Sequence, residues 1–204
     1  MVDPKPTVIL ASGSRFRRRM LQAAGVTFTV VPAAVDEAAL RQSLMAKDKG
    51  IDPAAVALHL ARAKANDVSR ANRQSIVIGC DQILAVGGDI VSKPPTLAQA
   101  RIQLLALQGR SHYLHTAVVL AQHGEIVWSH METAIMAMRS ITPSELDRYL
   151  AAAGPGICET VGGYEFEGLG AQLFAKVEGD QFTIVGLPLL PLLAELRRRG
   201  VQGP

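Results

Sequence analysis

Between Ser75 and Val86 the chain has the composition of a β-strand with a carboxylate in its middle: Ile-Val-Ile-Gly-Cys-Asp-Gln-Ile-Leu-Ala-Val follows Ser75. Gly87-Gly88 then turns the run into Ile90-Val91. Asp81 falls between Ile78 and Ile83, where burying an unpaired carboxylate is costly. Any fold of this chain must therefore give Asp81 a metal ion, a cationic partner or an open cleft. Gln82 beside it offers both a donor and an acceptor, suited to reading a base edge. Cys80 has no evident activating group and reads as a small packing residue.

Other segments follow the same logic. Thr7 to Ala11 is a short apolar run expected as a buried strand, broken by Ser12-Gly13-Ser14. A helical pattern from Arg15 to Ala24 stops at Gly25, and Val26 to Val31 reads as a second strand before a loop over Pro32 to Glu37. Asp52-Pro53 is an N-cap with proline at N1, opening a helix to about Arg70. Thr96 with Gln99, and Thr142-Pro143-Ser144-Glu145, are capping-box patterns for helices ending near Gly109 and Gly154. Tyr113 to Ala121 and Glu125 to Met138 form an expected hairpin around His123-Gly124. Gly154 to Gly170 is a glycine-rich loop. Gln172 to Glu178 and Thr183 to Gly186 are expected strands, and Leu189 to Arg199 a closing helix stopped by Gly200. Hairpins and crossovers together predict an α/β chain with a mixed central sheet flanked by helices. Without a repeat or a clear linker, residues 1–204 read as a single domain with two lobes.

Bulk properties exclude several classes. The formal charge of the 204-residue chain is only +3, although the pI is about 9.1. That balance argues against a nucleic-acid binder. The arginines cluster only at Arg15–Arg19 and Arg197–Arg199, and the second group suits a helix C-terminus. Met1 to Thr7 holds no apolar signal core. Ile184 to Leu196, carrying Pro188 and Pro191, is too short to span a membrane and is expected as a buried strand running into a helix. Two cysteines, Cys80 and Cys158, make no disulfide framework, so a reducing, cytoplasmic compartment is expected. The five histidines show no zinc-ligand spacing.

Several pieces carry potential chemistry. A strand ending in Ser12-Gly13-Ser14 before a helix presents unpaired N–H groups to an anion, with Arg15, Arg17 and Arg18 close behind. The chain has no G-x-x-x-x-G-K-[ST] segment, so a P-loop is not supported. Asp36-Glu37 can hold a hard cation. Lys93 precedes Pro94, which favours an extended backbone and fixes the lysine's direction. Glu165-Phe166-Glu167-Gly168-Leu169-Gly170 places carboxylates in a glycine-rich loop, able to accept from ring nitrogens.

Taken in order, these pieces resemble one family. Leu10-Ala11-Ser12-Gly13-Ser14 with Arg17 is similar to the opening L-A-S-x-S-P-x-R signature of the Maf family. Val35-Asp36-Glu37, Gly79 to Gln82, Lys93-Pro94 and Gly186-Leu187-Pro188 resemble its later motifs, over about Val8 to Gly200. The resemblance implies a Maf/ITPase-like fold with a cleft between two lobes. It also implies nucleoside-triphosphate pyrophosphatase activity, a hydrolase reaction on an acid anhydride. By that resemblance Asp81 is the general base or holds the metal, Glu37 and Asp81 bind Mg²⁺ or Mn²⁺, and Ser12, Ser14, Arg17 and Lys93 hold the triphosphate. Lys64 resembles a recurrent family lysine and joins them.

Phe16, Gln82 and Glu167-Gly168-Leu169-Gly170 resemble the branch that prefers 7-methyl-GTP, whose cationic base suits a carboxylate and an aromatic face. Arg15 stands in place of the signature proline, Thr160 where the pyrimidine branch has lysine, and Glu165 where the 7-methyl-GTP branch has lysine. Gaining the Glu165 charge could weaken triphosphate binding. The rival reading is therefore a non-catalytic nucleotide-binding regulator of cell division or septum formation. The partner expected is a nucleoside triphosphate, with no membrane and no nucleic acid; a homodimer fits the family, although no residue stripe marks its interface.

Overall fold

The computed structural model describes residues 6–201. Its strands are β1 (Val8–Leu10), β2 (Thr29–Val30), β3 (Ile76–Val86), β4 (Asp89–Val91), β5 (Ser111–Gln122), β6 (Glu125–Met138) and β7 (Phe174–Glu178). They form one mixed sheet in the order β2-β1-β3-β5-β6-β7, with β4 paired to β3 off this path. β2, β1 and β3 run parallel; the remaining pairs are antiparallel. The helices are α1 (Arg15–Ala23), α2 (Glu37–Lys47), α3 (Pro53–Ala71), α4 (Leu97–Leu107), α5 (Pro143–Ala153), α6 (Gln181–Val185) and α7 (Leu189–Arg198), and 3₁₀ turns span Pro155–Glu159 and Leu169–Leu173.

The two-residue period of β3 sorts its side chains by partner. Ile76, Ile78 and Cys80 join a core that includes Leu21 of α1 and Leu192 and Leu196 of α7. Val77 and Ile83 face the other way, into a core built with Val56, Leu60, Ala61 and Ala65 of α3. Asp81 shares their parity, so its side chain belongs to the face covered by α3. Val56 and Leu60 are essentially wholly buried there, contributing roughly 1.5–3 kcal/mol each. A third core, with Leu84, Leu104, Leu114, Met136 and Leu146, lies under α4 and α5.

Local signals placed most boundaries. Asp52 Oδ1 accepts from Ala54 N with Pro53 at N1, and Thr142 with Glu145 forms a reciprocal capping box. His123 (φ 57°) and Gly124 (φ 85°) turn the β5–β6 hairpin through positive φ, which suits its twist. Thr96 accepts from Gln99 N in α4.

Several expectations are corrected. Thr183 to Gly186 is not a strand but the helix α6 and its stop: Asp180 Oδ2 accepts from Thr183 N, and Gly186 is left-handed at φ 116°. These two caps override the β-branched composition between them. The apolar stretch from Ile184 to Leu196 is accordingly two helices joined at Gly186-Leu187-Pro188. The Val26 to Val31 run pairs only at Thr29–Val30, and the Gln172 to Glu178 run begins as a 3₁₀ turn. A helix, α2, also follows Asp36 where the sequence reading left the segment after the Pro32–Glu37 loop unassigned; Asp36 Oδ1 caps it through Ala39 N. Among the described residues no helix is long and apolar enough to cross a membrane.

Candidate active site

The end of β1, the middle of β3 and the starts of α1 and α2 converge on a cleft of about 790 Å³. That volume lies in the range of small-molecule sites. Ser12, Ser14, Phe16, Arg17, Glu37, Lys64, Asp81, Gln82, Lys93 and Glu167 all line it, so every candidate site residue meets in one place.

Asp81 is reached by Lys64 because α3 packs directly onto β3. A Cβ on Gly79 would stand 2.3 Å from the Ala61 carbonyl oxygen and 2.6 Å from the Ala65 Cβ, so only glycine permits this approach. One turn along α3, the Lys64 ammonium donates to Asp81 Oδ1 at 2.6 Å. It also stands 2.8 Å from Glu37 Oε1 at the first position of α2. Lys64 and Asp81 are nearly wholly buried, whereas the Glu37 side chain is 54% exposed. The two carboxyls shift in opposite directions for that reason. Burial raises the Asp81 pKa beyond what Lys64 and Arg17 restore. For Glu37, burial is outweighed by Lys64, with Arg17 and Lys93 assisting, and its pKa falls below the ordinary value.

Arg17 is buried beside them and is already committed. Its Nε donates to the Gly186 carbonyl at 2.8 Å, and Nη1 donates to Ser12 Oγ at 3.0 Å and the Cys80 carbonyl at 2.9 Å. It thereby ties α1 to β3 and to the α6–α7 junction, leaving Nη2 without a described partner. Ser12 Oγ also accepts from Ser14 N, and Ser14 Oγ caps α1. Lys93 makes no ion pair with a described residue; burial and the neighbouring Arg17 hold its pKa below the usual lysine value. Cys80 is buried with its thiol donating to Gly186 O, and burial pushes the thiol pKa up.

The Gln82 amide braces neighbouring elements of the cleft. Its Nε2 lies 2.9 Å from Thr116 Oγ1, 3.0 Å from Thr183 O and 3.1 Å from Ile184 O, binding β3 to β5 and α6. Glu165 does not stand alone either. It pairs with Arg15, whose Nε is 3.2 Å from Glu159 Oε2, and Arg19 pairs with Glu167. The loop is drawn back on itself at Gly170, where a Cβ would meet the Glu165 carbonyl oxygen at 2.5 Å.

Sequence reasoning passed over Arg41 and Tyr164, both in the cleft wall. Arg41 follows Glu37 by one turn of α2, and makes no ion pair or hydrogen bond with a described residue. The Asp36 cap and the Leu40/Leu44 spacing were the available signal for α2. The Tyr164 hydroxyl lies 2.6 Å from Nε2 of buried His112, a pairing across 52 residues that no local pattern announces.

Among the described residues no group of three His, Cys, Asp or Glu side chains converges as a metal cluster. Two hard oxygen donors do face each other across Lys64, and Glu37 Oε2 and Asp81 Oδ2 accept no hydrogen bond from a described residue. This donor set fits a hard divalent ion that takes its remaining ligands from water and phosphate.

A model of the family described as Maf-like protein matches residues 7–199. The chain is 51% identical over 193 residues to a 7-methyl-GTP pyrophosphatase of Mesorhizobium japonicum, covering 95% of this chain and 96% of the relative. It is 47% identical over 196 residues to a protein of the same name from Rhizobium meliloti, covering 96% and 98%. It is 48% identical over 196 residues to a nucleoside triphosphate pyrophosphatase of Rhodospirillum rubrum, covering 96% of each. With its cleft residues in the order of the family's motifs, the chain belongs to the Maf-like protein family.

Proposed function

We propose that this protein hydrolyses nucleoside triphosphates between the α- and β-phosphates, releasing the nucleoside monophosphate and pyrophosphate, with 7-methyl-GTP as its nucleotide. The observation that carries the reading is Asp81: a buried carboxylate of raised pKa, paired to Lys64, opening on a cleft walled by cations. A carboxylate whose pKa is raised by burial is a stronger base than a free one, which suits a general base. Asp81 orients a water and takes its proton as the oxygen bonds to the α-phosphorus. The bond from that phosphorus to the bridging oxygen breaks, and pyrophosphate departs. Lys93 and Arg17 Nη2 stabilise charge on the leaving group, and Ser12 and Ser14 hold the phosphates at the α1 N-terminus. Lys64 keeps Asp81 and Glu37 ionised and aimed.

Glu37 and Asp81 would hold a Mg²⁺ or Mn²⁺ ion, which supplies neutralisation of phosphate charge. Phe16 and Glu167 line the part of the cleft assigned to the base, with Gln82 fixing its floor. The chain in this reading is one domain whose two lobes flank the cleft. Its two free cysteines suit a reducing cytoplasm. A homodimer belongs to the same reading, supported by the open edge of β6, where β7 pairs only from Ile135 to Met138. The regulator reading rested on an unbalanced Glu165, and its pairing with Arg15 removes that support.

The test is pyrophosphate release from dTTP, UTP, CTP, GTP and 7-methyl-GTP with Mg²⁺ or Mn²⁺, beside Asp81→Asn. Preferred release from 7-methyl-GTP, lost in the variant, is the expected result. Release from none of them, or release unchanged by Asp81→Asn, overturns the reading.

A further inference from the structure

Arg15 opens α1, and its guanidinium lies 4.7 Å from the centroid of the Phe16 ring. The same guanidinium pairs with Glu165 and, through Nε, with Glu159 at 3.2 Å. All four side chains line the cleft. A planar cation is thus held over an aromatic face and against two carboxylates. That combination is what a protein presents to a positively charged heteroaromatic ring. Guanine methylated at N7 carries such a charge, and guanine itself does not. The arrangement joins Arg15 and Glu165 across 150 residues in one contact.

Resting on the nucleotide reading above, we propose that the Arg15 guanidinium occupies the subsite for a cationic base, making Arg15 a selectivity residue that lowers discrimination between 7-methylguanine and guanine. A cationic base must displace Arg15 from Phe16 and Glu165 before it can use them. A neutral base can stack on Phe16 and donate to a carboxylate, but it lacks the charge-dependent part of both contacts and so loses less to Arg15. Two simpler roles predict otherwise. A phosphate-gripping Arg15 would strengthen every nucleotide alike. A surface ion pair with no ligand role would leave the choice of base untouched. The Arg15 side chain is 47% exposed, so its removal at the first turn of α1 leaves the buried part of that helix in place.

Calorimetric binding of GMP and 7-methyl-GMP to the full chain tests this, in the wild type, Arg15→Ala, Arg15→Gln and Arg15→Ala/Glu165→Gln. Monophosphates isolate the base from the triphosphate and require no turnover. Arg15→Ala and Arg15→Gln are expected to raise the affinity ratio of 7-methyl-GMP to GMP by about 3–10-fold, the scale of one half-exposed cation–π contact plus one ion pair. Adding Glu165→Gln is expected to return the ratio most of the way to the wild-type value. An unchanged ratio in both single variants, equal weakening of both ligands, or no binding of either ligand to any form overturns the proposal. Failure of the wild type to release pyrophosphate from any triphosphate would instead sink the proposed activity, leaving the ratio measurable.

Discussion

Replacing Lys64 by methionine removes one charge while keeping most of the side-chain volume, and its effect follows from the geometry. The Lys64 side chain is 9% exposed and Asp81 7% exposed, with 2.6 Å between nitrogen and oxygen. Breaking a buried pair leaves a carboxylate uncompensated, at a cost of about 3–5 kcal/mol. Glu37 adds little, because it is half in water. Without the ammonium, burial and the Glu37 charge act on Asp81 against Arg17 only, and its folded pKa rises further above the unfolded value. A raised carboxyl pKa gives a stability term that is fully present below the unfolded pKa and lost as pH rises through the folded one. The Lys64→Met penalty should therefore reach about 3–4 kcal/mol at pH 8 and shrink markedly by pH 5. Lys64→Met/Asp81→Asn, which removes both charges, should recover to within about 1–2 kcal/mol of the wild type. Urea denaturation at the two pH values measures both. A penalty below about 1 kcal/mol at pH 8, or one independent of pH, would refute the claim that Lys64 is what makes Asp81 tolerable there.

Other perturbations have equally definite outcomes. Asp81→Asn should lower pyrophosphate release by about 10²–10⁴-fold, with an unchanged circular dichroism spectrum. Chelation of divalent ions should abolish release, and Mg²⁺ or Mn²⁺ should restore it; persistence in chelator would remove the ion from the reading. Gly79→Ala forces a Cβ into the Ala61 carbonyl and should cost at least about 1–3 kcal/mol of thermal stability. Buried His112 has its pKa lowered to about 4 by desolvation. Its unfolded form therefore binds protons first, and stability should fall by roughly 2–4 kcal/mol as pH drops from about 6.5 to about 4, a slope that His112→Gln should remove.

Much of this architecture is legible in the sequence. The Asp52-Pro53 start, the Thr142–Glu145 capping box and the His123-Gly124 turn are satisfied within a few residues, so their outcome is written locally. The same locality misled at Thr183 to Gly186, where β-branched composition spoke for a strand. Asp180 and Gly186, each one residue outside the helix they bound, decided for α6. α2 was missed because its helix has no buried residue and so a weak apolar pattern.

The candidate site divides in the same way. The sequence alone determined that Asp81 needed a partner or a cleft, since a carboxylate in an apolar strand has no cheaper solution. It also determined the order of the motifs that line the cleft. Tertiary structure decided which partner Asp81 takes: Lys64 arrives because α3 can touch β3 at Gly79. It decided that Arg17 is spent on Ser12, Cys80 and Gly186, contacts up to 169 residues apart. It likewise brought Arg15 to Glu165 across 150 residues. Hydrogen bonds and ion pairs reward proximity in space, and chain spacing carries no record of which distant segments the packed cores will bring together.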